Sequence, residues 1–246
     1  MTAAKAKFGP WQGLLLVAGY MLAQAAGFIL VGLLWGAGQG FQALLHHHRF
    51  PSHSGLGIQQ EAWATLIGFI ASAIWSIGYV WRQARGLIGR GDASGIAMRP
   101  ARMQAYFAAV GVALLAIVFA YVAVVALPPD LDQLTGPTSK LLDTPGLPRT
   151  VITLLALVGA PLMEEFVFRG AFFAALAGRW GAWVAGVCTT LVFVALHWMD
   201  KIHWWPGFVV VGFLGALLVL LRLRYKSLWP GMLAHFLYNA SFFFLP

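Results

Sequence analysis

Charge and cysteine are what this chain has least of. Only 10% of its 246 residues are charged and eight of them are acidic, whereas about a quarter of an average soluble domain is charged. The hydrophobic share is 60%. A folded soluble domain of this length keeps a large polar exterior, so a water-soluble globular fold is excluded and a lipid-embedded one is expected. The one cysteine, Cys188, lies in an apolar run. It rules out an intrachain disulfide and leaves the redox compartment open. The chain has no HExxH, no GxSxG and no pair of aspartates inside an apolar helix. The zincin, nucleophilic-serine and aspartyl readings therefore lose support. No internal repeat and no low-complexity run is present, which weighs against a transporter built from paired broken helices.

What is present is a series of long apolar runs. A spanning helix needs roughly 20 mostly apolar residues. Windows of that kind lie at 11–35, 62–81, 103–127, 151–176, 182–199, 206–221 and 228–245. They predict an all-α, polytopic transmembrane bundle of about seven spans, within a range of six to eight. The first window is too long for a cleaved signal peptide and lacks a small-residue exit, so it reads as a retained span.

The formal charge of +8 suggests nucleic acid until its placement is considered. Five of the sixteen basic residues (Arg82, Arg85, Arg90, Arg99 and Arg102) share one loop, and Arg222, Arg224 and Lys226 close the sixth window. Lys5 and Lys7 precede the first window, and Arg179 lies between the fourth and fifth. The intervening loops hold Arg49 and Glu61, then Asp130, Asp132 and Asp143 against Lys140 and Arg149, then Asp200 and Lys201. Basic loops alternate with neutral or acidic ones, as the positive-inside rule requires. The expected protein is a multi-pass component of the cell membrane, with its N-terminus cytoplasmic and its C-terminus outside. Its surroundings are the lipid bilayer and not nucleic acid. His46, His47 and His48, in the loop before the second window, read as a solvated interfacial run rather than a metal site.

Pro128, Pro129, Pro137, Pro145, Gly146 and Pro148 make the third loop a non-helical connection. Within what reads as one transmembrane domain over 1–246, it separates three spans without motifs (1–127) from a polar C-terminal part (150–245). That part holds two of the three glutamates, Glu164 and Glu165, side by side in an apolar run. A carboxylate at mid-bilayer depth costs several kcal/mol, faces protein or a wet cavity, and marks a functional site by default. Arg169 follows Glu165 by four residues, one turn on. Successive helical side chains point about 100° apart, so one glutamate can pair with Arg169 while its neighbour faces a cavity. The structural alternative is a buried ion pair beside a helix kink at Gly159 and Pro161. His197 ends the fifth window, and His235 and Asn239 share one helical face in the seventh. Such groups need partners in lipid, and packing between helices is the bland way of supplying them. Helix axes 8–10 Å apart let all six side chains converge. A base, an imidazole and hydrogen-bond donors are the parts that amide hydrolysis requires. Glu164, His197 and His235 would equally suit a divalent metal such as zinc, and the spacing does not choose between metal-bound and directly activated water.

The strings Glu164-Glu165-x-x-x-Arg169, Phe193-x-x-x-His197 and His235-x-x-x-Asn239, in that order and each in its own apolar run, resemble the CPBP family of CAAX-protease and bacteriocin-processing intramembrane peptidases. The resemblance covers about 150–245. It implies that the active site lies between the four C-terminal helices, with Glu164 activating water, His197 assisting and Arg169 orienting a carboxylate. His235 and Asn239 would stabilise the oxyanion, and Phe193 would pack. It implies a peptide or protein substrate in or near the membrane, either a prenylated CAAX-type C-terminus or a leader or signalling peptide. Catalysis without a metal is the expectation, because a His–Asn pair suits an oxyanion hole better than a closed zinc shell. Two other readings remain at this stage: a non-enzymatic peptide-binding immunity or scaffold protein, and a proton-coupled transporter.

Overall fold

The computed structural model describes residues 8–46, 55–130 and 137–244. Lys5, Lys7, His47, His48, Arg49 and Asp132, weighed above, lie outside them. The described residues form nine helices and no strands. These are α1 (Pro10–Leu45), α2 (Ile58–Ala84), α3 (Met103–Ala126), α4 (Pro137–Asp143), α5 (Leu147–Trp180), α6 (Ala182–Leu196), α7 (Trp198–Lys201), α8 (Pro206–Tyr225) and α9 (Trp229–Phe244).

The protein is a polytopic helical membrane protein. Five helices are long and apolar enough to cross a bilayer: α1, α2 with its 3-10 extension to Leu87, α3, α5 and α8. The other two expected windows are helices of 15 and 16 residues, α6 and α9. At 1.5 Å per residue each is roughly 23 Å long, short of the ~30 Å hydrocarbon core. Gly181, at φ 82°, ends α5 and opens α6, and Lys226, in the left-handed region at φ 52°, ends α8 three residues before α9 begins. The lipid-facing sides of α1, α2 and α3 remain bare, as at Leu22, Ile74 and Phe107. Bare apolar surface is stable in a bilayer and would not be in water.

The helices meet through small residues, as membrane helices do. α1 and α2 are an antiparallel pair in which Gly27 and Gly68 touch. A Cβ on Gly27 would lie 2.4 Å from Gly68 Cα, and one on Gly68 2.6 Å from the Gln24 carbonyl. Ala105, Ala109, Ala113, Ala116 and Ala120 are the buried stripe of α3 and pack on α8 and α9. Ser72 and Ser76, buried in α2, satisfy their hydroxyls on the carbonyls of Phe69 and Ser72, both at 2.8 Å.

The arginine-rich loop is more than a solvated connection. Its arginines 82, 85, 90, 99 and 102 are exposed, but Ile96 and Ala97 between them are fully buried. Leu228 N–H donates to the Ala97 carbonyl at 3.0 Å, and Ser227 Oγ donates to the Arg99 carbonyl at 2.6 Å. Arg222, grouped above with the topological charges, is buried instead. Its Nη2 donates to the Gly95 carbonyl at 2.7 Å while its guanidinium lies over the Phe173 ring. A buried carbonyl needs a donor, and Arg222 supplies it for a loop whose own pairing is incomplete.

Candidate active site

α5 is the helix on which the site is built, and it departs from α-helical winding twice. Its turns widen to i→i+5 pairing over Leu155–Gly159 and again over Glu165–Phe172. Such widened turns are rare and collect at functional sites. The first replaces the expected kink, and Pro161 accounts for it. A proline inside a helix donates no N–H and its ring crowds the carbonyl four residues back. Ala160 N–H pairs with the Leu155 carbonyl, so continuing that register would require an N–H from Pro161 for the Ala156 carbonyl. Pro161 has none. Asn239 on α9 satisfies the orphan instead, its Nδ2 donating to Ala156 O at 2.8 Å.

The second widened turn carries Glu165 and Arg169 and starts directly after Glu164, and the environments of the two glutamates differ sharply. Glu165 is 1% exposed and points into the core, where its Oε1 lies 3.1 Å from Nη1 of the fully buried Arg169. The Arg169 guanidinium sits over the Phe193 ring, 4.1 Å from its centre. Among the described residues none of its three nitrogens finds a well-aligned hydrogen-bond acceptor. The close approach to Glu165 is therefore charge pairing rather than a directed hydrogen bond, with the aromatic face as the second source of stabilisation. Glu164, by contrast, keeps 18% of its side chain exposed and lines a cavity. One glutamate is paired and the other is open to substrate-sized space.

His235 reaches from α9 to both. Its Nδ1 faces Glu165 Oε1 at 3.3 Å and its Nε2 faces Glu164 Oε2 at 3.9 Å. A carboxylate only accepts, so Nδ1 carries a proton toward Glu165. His197 stands at the C-terminal end of α6 and donates its Nδ1–H to the Phe193 carbonyl at 2.7 Å. That bond sets the tautomer and leaves Nε2 as the free ring nitrogen. Phe193 does more than pack: its ring contacts Arg169, His197 and His235 together, with centres 4.5 Å and 6.1 Å from the two imidazoles.

Glu164, His197, His235 and Asn239 all line one cavity of about 310 Å³. A second, of about 180 Å³, shares Glu164 and His197 with it and extends to Asp200. Glu165 and Arg169 line neither. Among the described residues no three His, Cys, Asp or Glu side chains are grouped to hold a metal ion. Glu164, His197 and His235, the trio that would form a zinc shell, thus lack that geometry here.

Several residues around the site escaped the reading of the sequence. Tyr20 and Gln24 of α1 line both cavities, the tyrosine beside the Gln24 side chain and within electrostatic reach of Glu164. Thr65 of α2 and Thr138 of α4 join the larger cavity. Gln24 carried a readable signal, because a polar amide in mid-span follows the same logic that singled out the glutamates. Gly215 and Gly231 carried none. A Cβ at Gly215 would lie 3.0 Å from Arg169 Nη2, and one at Gly231 3.2 Å from Glu165 Oε2. They are the space the ion pair occupies.

Comparison with known proteins bears on the C-terminal part of the chain. Residues 146–241 match the family model described as Type II CAAX prenyl endopeptidase Rce1-like. No curated protein and no solved structure gives a match. The matched segment takes in α5 through most of α9, including Glu164, Glu165, Arg169, His197, His235 and Asn239, and leaves out α1, α2 and α3. The likeness to the CAAX-type endopeptidase family is thus carried by residues 146–241, less than half of the chain, and that segment takes in every candidate site residue.

Proposed function

We propose that the protein is an intramembrane endopeptidase in which Glu164 activates water for attack on a peptide carbonyl. The observation that carries this reading is the division of labour between the glutamates: Glu165 is locked to Arg169 and His235, while Glu164 faces a cavity shared with His197, His235 and Asn239. In the proposed reaction water sits between the Glu164 carboxylate and the free Nε2 of His197. Glu164 takes its proton as oxygen attacks the carbonyl carbon, a general-base step. The resulting oxyanion accepts hydrogen bonds from Asn239 Nδ2–H and from the Nε2–H of a His235 whose Nδ1–H is donated to Glu165. Glu164 then returns its proton to the departing amine nitrogen as the C–N bond breaks. Glu165 and Arg169 hold His235 and the widened turn in place.

The reaction so written needs no metal. The substrate is a peptide in or at the membrane, either a CAAX-type prenylated C-terminus or a leader or signalling peptide. We place the enzyme in the cell membrane with its N-terminus cytoplasmic. Purified protein in proteoliposomes, supplied with a peptide library, tests the assignment. Glu164→Ala and His197→Ala should each lower cleavage by roughly 10²–10⁴-fold, the usual contribution of general acid–base catalysis, with the fold intact. Wild-type rates in both variants would remove the catalytic assignment. Activity that collapses with a chelator and returns with zinc would replace direct activation of water by metal-bound water.

A further inference from the structure

The two ends of the bundle differ in charge and in packing, and the cavities respect that difference. One end gathers the N-terminus of α1, the C-termini of α2, α5 and α8 and the starts of α3, α6 and α9. Hydrogen bonds from Leu228, Arg222 and Ser227 to the loop between α2 and α3 tie it together. It exposes Arg82, Arg85, Arg90, Arg99, Arg102, Arg179, Arg224 and Lys226, with Asp92 as its acid. The opposite end gathers the start of α2, the end of α3, α4, the start of α5 and α7. It is tied by the Trp204 Nε1–H bond to the Leu127 carbonyl at 2.8 Å and by the cluster of Ala62, Leu141 and Ile152. There Glu61, Asp130, Asp143 and Asp200 stand against Lys140, Arg149 and Lys201. Glu164 lies midway along α5.

From Glu164 the larger cavity runs past Ala160 and Ala156 to Leu155, Ile152 and Thr138, and the smaller one runs to Leu196 and Asp200. Both directions lead to the second end. Toward the arginine-rich end the way is closed. Leu16, Ile96, Ala97, Ala171, Ala174, Leu228 and Met232 form a buried apolar cluster there. Ile96 and Leu228 lie so close to Gly170 on the catalytic helix that a Cβ there would meet them at 3.0–3.1 Å. A packed apolar plug of this kind admits neither water nor a peptide.

We propose that the site is reached only from the end opposite the arginine-rich face, and hence from the non-cytoplasmic side of the membrane. The substrate class is then a juxtamembrane segment of an exported or membrane-anchored polypeptide, presented outside. Basic loops remain on the cytoplasmic side, which orients the bundle. The cavity between Glu164 and Thr138 matches an extended segment in kind. Phe28, Phe69, Ile152 and Leu155 offer apolar wall for a side chain, and Gln24 and Thr65 offer donors and acceptors for its backbone. Of the two substrate classes named above, a leader or signalling peptide meets the open end. A prenylated C-terminus in the cytosol meets the plug. What occupies the cavity rests on the peptidase reading, whereas the side of access does not.

Cysteine labelling separates the two. In a Cys188→Ala background, single cysteines are introduced as Thr138→Cys in the cavity wall, Asp143→Cys on the acidic end and Arg90→Cys on the arginine-rich end. A membrane-impermeant maleimide is applied to right-side-out and to inverted vesicles. The expected result is labelling of Thr138→Cys and Asp143→Cys in right-side-out vesicles, with Arg90→Cys labelled only in inverted ones. Phe28→Cys, deeper in the same cavity, should follow Thr138→Cys and serves if that variant is lost to misfolding. Labelling of the cavity cysteines together with Arg90→Cys, or failure of both to label from the Asp143→Cys side, overturns the proposal. Because labelling requires no turnover, absence of any peptide cleavage by the wild-type protein in proteoliposomes would sink the peptidase reading and leave this result standing.

Discussion

A buried arginine is costly, and Arg169 shows how the cost is offset. Its charge meets Glu165 at 3.1 Å on one side and the Phe193 ring at 4.1 Å on another, and Gly215 and Gly231 leave room for both partners. Removing one member of a buried pair leaves an uncompensated charge, which costs about 3–5 kcal/mol. Arg169→Met should therefore lower the thermal unfolding temperature sharply in detergent. Arg169→Lys should also lose stability, because an ammonium cannot lie flat on Phe193 as a guanidinium does. If thermal unfolding found Arg169→Lys as stable as wild type, stacking on Phe193 would have no part in holding the pair. Glu164, Glu165, Arg169, His197, His235 and Asn239 were all visible in the sequence for one reason: each is a polar group where lipid or apolar protein surrounds the backbone. Gly215 and Gly231 were invisible because a glycine's purpose here is set by a side chain on another helix.

At the scale of the element, α5 is where sequence and structure diverge most informatively. Pro161 in an apolar run predicts a kink, and the chain instead widens its turn and takes a donor from α9. The hydrogen-bond register of a helix is not legible from its own residues when the missing donor comes from a side chain 83 positions on. Pro161→Ala tests this account. It relieves the crowding of the Leu157 carbonyl by the proline ring and lets Ala160 N–H return to the Ala156 carbonyl, freeing Asn239 and drawing α5 back toward ordinary winding. Unfolding temperature should hold or rise, while cleavage falls because Glu164 and Asn239 leave their positions. Asn239→Leu should instead destabilise by about 1 kcal/mol, the loss of a hydrogen bond at a partly buried carbonyl, and lose activity with it. Equal cleavage by Pro161→Ala and wild type would show that the widened turn has no bearing on the site. The short helices α6 and α9 follow the same lesson. Apolar content marked their windows, but their ends were set by Gly181 and Lys226, whose backbone conformations only the fold reveals.

For the whole molecule, membrane embedding was legible from composition and loop charge alone. The all-helical architecture bears it out, as five helices are long enough to span. Less legible was the part played by the N-terminal helices. They carry no motif and lie outside the matched family segment, yet α1 and α2 wall the cavity through Tyr20, Gln24, Thr65 and Phe69. A wall formed between helices is a tertiary property, and no single helix announces it. Gln24→Leu keeps the size and removes the amide. It should slow peptide cleavage while leaving the unfolding temperature near that of wild type, since Gln24 is only partly buried. Unchanged kinetics would make α1 a structural wall and nothing more.

The central claim is that Glu164, and not its neighbour, is the base. The most direct measurement pairs cleavage rate with thermal unfolding for Glu164→Gln in proteoliposomes, an isosteric change that removes only the capacity to take a proton. The account predicts a folded, thermally stable protein whose cleavage falls by roughly 10²-fold or more. A Glu164→Gln protein that cleaves at the wild-type rate contradicts it.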